Sequence, residues 1–160
     1  MNKVLLFSVL ILLQITSCNS KKYTQPVVDE SNIVKNVEET IYKIFDACKN
    51  KNFLKLESYH INTSKFSIFK EDGSRERLSA KQNNQVVQNE LSSLEDAIFN
   101  VSDLKIDVIR QVAVATFILD IKASIQNTAI SGSNRTTFVF VEDEGSWKVL
   151  HEHFSPVAVK

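Results

Sequence analysis

An α+β fold, with helices gathered on one face of a curved antiparallel sheet, is predicted by three observations on this 160-residue chain. Helical periodicity is confined to the part before Phe99. Strand-like alternation fills everything from Leu104 onward. Short, turn-rich connections join the alternating segments, which makes successive strands antiparallel neighbours. Composition sets the outer bounds: 43% hydrophobic, 24% charged, 3 Gly and 2 Pro are ordinary globular values, which excludes collagen-like, low-complexity, disulfide-scaffold and wholly disordered chains. The 19 Lys+Arg balance the 19 Asp+Glu, so there is no basic footprint for nucleic acid and no acidic field to steer a cationic partner.

Taken in order, Ile33, Val37, Ile41, Ile44, Phe45 and Cys48 share one helical face over Asn32 to Asn50, with Lys35, Glu38, Glu39 and Lys43 opposite and Ser31 or Asn32 as cap. Phe53, Leu54, Leu56 and Tyr59 predict a second short helix, Asn52 to Tyr59. Phe66 to Phe69 read as a short strand ending at the turn Glu71-Asp72-Gly73-Ser74. A third helix is expected from Ala80 to Phe99 on the stripe Val87, Leu91, Leu94 and Ile98. Four strands follow: Leu104 to Arg110, Val112 to Ala123, Ile130 to Val141 and Trp147 to Phe154, with turns at Ser131-Gly132-Ser133-Asn134 and Glu142 to Ser146.

The N-terminus is an address. One positive charge at Lys3 precedes an almost unbroken apolar run, Val4 to Leu13, too short to span a bilayer as a helix but right for the core of a secretory signal. Ile15-Thr16-Ser17-Cys18 resembles the cleavage box of a bacterial lipoprotein, which implies loss of residues 1–17 and lipidation of Cys18. Several acyl chains on one residue give a lasting anchor, at about 0.8 kcal/mol per buried methylene. Residues 18–31 then form a flexible tether and 32–157 the folded domain, in the bacterial cell envelope facing periplasm or exterior; Asn19 does not identify the leaflet. Cys48 remains alone in the mature chain, so it cannot form an intramolecular disulfide, and its place on the first helix's apolar stripe marks it as a core thiol.

The strands are apolar on both faces. Val112, Val114, Thr116 and Ile118 alternate with Ala113, Ala115, Phe117, Leu119 and Ile121. A chain this short has no second layer to cover the outer face, so a homodimer through that face is expected.

The closing run Gly145-Ser146-Trp147-Lys148-Val149-Leu150-His151-Glu152-His153-Phe154-Ser155 resembles the last strand of the SnoaL-like branch of the nuclear transport factor 2-like superfamily. Lys65 to Phe69, Val112 to Ala115 and Arg135 support the resemblance in the family's order. It implies a cone-shaped, cystatin-like fold: three helices packed into a strongly bent sheet, a pocket at the open end, and a dimer made by the outer face.

Strict alternation places Trp147, Val149, His151, His153 and Ser155 on one face, so the two imidazoles are neighbours. If Arg135 on the adjacent strand shares that face, the three make a donor-rich patch for a carboxylate or other anionic oxygen. The family resemblance also implies pocket positions there; the alternative is that all three satisfy buried carboxylates or strand-end carbonyls. His151 and His153 could ligate zinc only with a third ligand, and Asp107, Asp120 and Glu152 are near merely in sequence, Glu152 on the opposite face. His60, at the end of the second helix, is read as a surface or capping residue. No dinucleotide loop, nucleophile elbow or metal-ligand cluster occurs, so no cofactor or metal is expected. The preferred expectation is a membrane-tethered, dimeric, non-catalytic domain holding a small polar or anionic ligand at Arg135, His151 and His153, as in the non-catalytic association domain of calcium/calmodulin-dependent protein kinase II. The rival is an isomerase or dehydratase using His151 or His153 as general base. A carboxylate within hydrogen-bond reach of a histidine in the pocket would favour the enzyme.

Overall fold

The computed structural model describes residues 29–69 and 76–158. The signal sequence, Cys18, most of the tether and the turn Glu71 to Ser74 lie outside them. Within these residues three helices precede the four long strands: α1 (Glu30–Lys49), α2 (Phe53–Ser58) and, after two short strands, α3 (Ala80–Ser93). The strands are β1 (Ser67–Phe69), β2 (Arg77–Leu78), β3 (Glu95–Ile109), β4 (Val112–Ile125), β5 (Thr128–Asp143) and β6 (Ser146–Pro156). They form one sheet in the order β2-β1-β6-β5-β4-β3.

The expected α+β class and its helices-then-sheet order hold, and the details depart from expectation for identifiable reasons. The sheet is mixed, because β1 pairs parallel to β6 while the remaining ladders are antiparallel. α1 starts two or three residues earlier than a cap at Ser31 or Asn32 would allow: Asp29 is its cap and accepts from the Ser31 hydroxyl and the Asn32 backbone N–H, which together hold its carboxyl below the usual range. α3 ends at Ser93 rather than Phe99. The stretch Glu95 to Phe99 fits either period, and ladder bonds to β4 decide for strand: Phe99 pairs with Ile121 and Ile98 with Lys122. Aspartates with positive φ, Asp96 and Asp103, sit where the β3–β4 register shifts, and short polar side chains tolerate that conformation. The expected turn at Ser131 to Asn134 is strand. The reversal comes instead at Gln126 and Asn127, both with positive φ, which closes a two-residue hairpin between Ile125 and Thr128. Glu144 and Gly145 close the β5–β6 hairpin in the same manner, with Gly145 at φ +76°.

The core lies between α1 and the concave face of the sheet. Val37 and Ile41 of α1 are fully buried, as are Ala113, Ala115, Phe140 and Val149 from the strands. Phe45 stacks on Phe99 at 5.9 Å and on Phe138 at 6.3 Å, and meets Phe117 edge-on at 5.9 Å. Such aromatic pairs contribute about 0.5–1.5 kcal/mol each beyond the area they bury, so this cluster pins the helix to the sheet. The opposite face carries Val112, Val114, Ile118 and Val139, half-buried or exposed, among Lys105, Asp107, Thr116 and Thr137.

Candidate functional site

A cavity of about 720 Å³ opens between the helices and the concave face. Its walls are mainly apolar: Phe45 from α1, Phe53 and Leu56 from α2, Val87 from α3, Leu119 from β4, Phe138 from β5 and Phe154 from β6. Polar groups share this lining, among them Asn50, Lys51, Glu57, Gln88 and Glu90. Asn83, Asn134, His60 and Glu152 are the buried ones.

Glu152 reaches the cavity through a β-bulge. On β6, Val149 pairs with Phe140, whereas His151 pairs with Val139, leaving Leu150 as an extra residue. An inserted residue reverses which side chains face inward beyond it. Val149 points to the core before the bulge; after it Glu152 and Phe154 point inward, opposite Phe138 and Thr136, and His151 and His153 point outward. The backbone fits: Tyr59 to Ile61 runs along β6, with Ile61 N donating to Val149 O at 2.9 Å and Val149 N to Tyr59 O at 2.8 Å.

The expected site therefore divides. His151 accepts from or donates to the Ser67 hydroxyl at 3.0 Å, and both His151 and His153 contact Phe69 edge-on, on the outer side of β6. Arg135 is exposed on β5, one position from the inward-facing Asn134 and Thr136. None of the three lines the cavity. His60, expected at the surface, is 9% exposed and lines it. A signal for His60 was present: it continues the apolar spacing Phe53, Leu56, one turn on. No glycine or proline marks the bulge at Leu150, so the inward turn of Glu152 had no local signal.

His60 and Glu152 form a pair at 2.8 Å between Nε2 and Oε1. The other ring nitrogen, Nδ1, lies 2.8 Å from the Leu56 carbonyl, which can only accept. Nδ1 therefore carries a hydrogen, and a second must lie between Nε2 and Oε1. Imidazolium with carboxylate, and imidazole with carboxylic acid, satisfy this equally; both have the same proton count and zero net charge. Burial alone would lower the His60 pKa, but the Glu152 charge, the hydrogen bonds to Glu152 and Leu56 and the more distant Glu57 outweigh it and raise the value above 6.5. Cys48 also lines the cavity, and burial, reinforced by the Glu152 charge, pushes its thiol up to about 12, so it stays protonated and is no nucleophile. Among the described residues no group of three His, Cys, Asp or Glu side chains could hold a metal ion, and no helix is long and apolar enough to cross a membrane.

Residues 37–160 match the SnoaL-like domain model, and the chain belongs to that family. Solved structures share the fold at low identity. A proposed dehydratase of the nuclear transport factor 2-like family from Streptomyces avermitilis is 17% identical, with a TM-score of 0.74 over 81% of this chain and 99% of that one. A superfamily member from Salmonella enterica serovar Typhimurium is 14% identical, with a TM-score of 0.72 over 82% and 95%. The CamKII hub homology domain of Chlamydomonas reinhardtii is 12% identical, with a TM-score of 0.65 over 79% and 99%. No functionally curated protein matches the sequence.

The raised His60 pKa makes folding stability depend on pH. A histidine that binds its proton more tightly when folded stabilises fully below the unfolded value, near 6.5, and loses that contribution as pH rises through the folded value. The melting temperature should therefore fall more steeply above pH 6.5 in the wild type than in His60→Gln. Parallel melting curves from pH 6 to 9 would show that the pair holds no such proton.

Proposed function

We propose that the domain binds a small organic molecule in the cavity and carries out proton-transfer chemistry of the isomerase or dehydratase kind, with Glu152 as the proton-exchanging group and His60 holding it in place. The observation that carries this reading is the 2.8 Å contact between a buried carboxylate and a buried imidazole on the lining of an apolar cavity. The pair holds one proton between its two heavy atoms, and the Leu56 carbonyl fixes the tautomer of the ring. In a dehydration, that proton passes to the leaving hydroxyl, water departs, and the carboxylate takes a proton from the carbon next to the one that lost the hydroxyl, whose C–H electron pair becomes the new double bond. The balance closes with no oxidant or cofactor. The Streptomyces avermitilis protein described as a proposed dehydratase supports the same class of chemistry through its fold.

The test uses 2-tetralone in D2O, following deuterium uptake at the carbon next to the carbonyl by NMR. Wild-type protein should accelerate exchange over buffer, and Glu152→Gln should lose about 10²- to 10⁴-fold of that acceleration, the usual worth of a positioned acid or base. A bound ketone exchanging no faster than the free one would rule the chemistry out.

The setting of this domain is proposed alongside. Two copies associate through the outer sheet face, since Val112, Val114, Ile118 and Val139 have no layer of their own chain over them among the described residues. Oligomerisation is compatible with the likeness to the hub homology domain. Equilibrium sedimentation at tens of micromolar should give twice the monomer mass; a monomer throughout would sink this. The signal-like N-terminus implies a lipid anchor at Cys18 and a place in the cell envelope. Cys18→Ser should move the protein from the membrane fraction to the soluble one, and an unchanged distribution would remove the anchor.

A further inference from the structure

Beyond the bulge in β6 the strand register collects, on the outer face of the sheet, the three residues that the cavity leaves out. His153 lies between Thr137 of β5 and Phe69 of β1, and Phe69 pairs in turn with Arg77 of β2. His151, one step along, lies between Val139 and Ser67, while Arg135 lies opposite Ser155 and so diagonal to His153. Diagonal neighbours on antiparallel strands are about 7–8 Å apart. The side chains converge accordingly. The Phe69 ring carries the Arg77 guanidinium 4.8 Å from its centre and meets both imidazoles edge-on, at 6.1 Å for His151 and 6.4 Å for His153.

Four side chains that carry or can take a positive charge thus share one patch. None of Arg77, Arg135, His151 and His153 enters an ion pair among the described residues. Asp120, one register step past Arg135 on the same face, already accepts from the Ser133 hydroxyl, and Asp107 is paired with Lys105. The patch therefore has donors and charge to spare. Ser67, 3.0 Å from Nδ1 of His151, can donate its hydroxyl there and leave the ring hydrogen on Nε2 for a ligand. A metal ion fits poorly: among the described residues no third His, Cys, Asp or Glu completes a group with the two imidazoles, and the neighbouring guanidiniums repel a cation.

We infer that this patch is a second ligand site, separate from the cavity, which binds a doubly charged oxyanion of the phosphate class, with Arg77 and Arg135 on its two flanks and His151 and His153 between them. Two permanent positive charges match a dianion better than a carboxylate, and the guanidinium fork suits phosphate oxygens. The site lies towards β2 from the apolar stripe proposed for association, and it stands whatever chemistry the cavity performs. The anionic ligand expected at Arg135, His151 and His153 thus keeps its residues and changes sides.

The chain has three histidines, so three imidazole Cε1–H signals report on binding by NMR, and His151→Gln and His153→Gln assign two of them. Inorganic pyrophosphate, titrated at pH 7 against sodium chloride of equal ionic strength, should shift the His151 and His153 signals in step and leave that of His60 in place. Acetate should act about tenfold more weakly. Arg77→Gln and Arg135→Gln, both at exposed positions, should each weaken pyrophosphate about three- to fivefold and together about tenfold or more, as exposed charge pairs do. Lys122→Gln removes the same charge elsewhere on that face and should change the affinity less than about twofold. Signals that do not move, equal shifts of all three histidines, an equal response to acetate, or a Lys122→Gln as damaging as the arginine variants would each overturn the site. So would a Cys18→Ser protein that ignores pyrophosphate but loses both signals on phosphatidylglycerol vesicles, since the patch would then meet a membrane. Pyrophosphate binding without deuterium exchange into 2-tetralone would leave the site standing and discard the catalytic reading of the cavity.

Discussion

The inward position of Glu152 depends on one surplus residue in the last strand. With Leu150 accommodated as a bulge, β6 presents Val149 to the core and, three residues on, a carboxylate to the cavity. Without the bulge, continued alternation would send His151 and His153 inward and Glu152 out, which is the arrangement that a regular strand predicts. Bulges re-aim side chains at a modest local cost, and here the cost is shared with a neighbour, since the backbone of Val149 is paired to Tyr59 and Ile61. The same pairing delivers His60 to the spot where the carboxylate emerges. Position of the acid and position of the imidazole are thus one event.

What surrounds the pair decides what it can do. In water, a histidine and a glutamate at contact distance would exchange partners freely; between Phe45, Phe138 and Phe154 they have few alternatives. Low polarity strengthens the bond between them and also raises the cost of any polar atom left unmet. The mainly apolar walls around the pair hold the shared proton in place.

How much of this was legible in the chain varied by level. Class, helix order and the four long strands followed from periodicity, because apolar spacing of 3.6 or 2 reflects burial directly. The end of α3 was misplaced, since Glu95 to Phe99 suits both periods and only cross-strand pairing chooses. The β4–β5 turn was sought at Ser131 to Asn134 for its glycine, while Gln126 and Asn127 adopt the positive φ values without one. Which residues of β6 line the cavity was lost at a single point: Val149, His151 and His153 are evenly spaced, and an irregularity set by tertiary contact leaves no mark in composition. His60 was undervalued because a histidine closing a short helix is usually solvent-facing, although its spacing from Leu56 already put it on the buried side.

The two halves of the acid–imidazole pair are 92 residues apart, and the strand that brings the second is the last one in the chain. Until β6 has docked, His60 has only the Leu56 carbonyl to bond, and the cavity lacks the wall that holds the acid. Long-range closure of this kind comes late, after the local helices and hairpins have formed. A ribosome-bound or prematurely shortened chain can therefore hold most of its secondary structure and still lack the pair, so completion of the fold and assembly of the two side chains coincide.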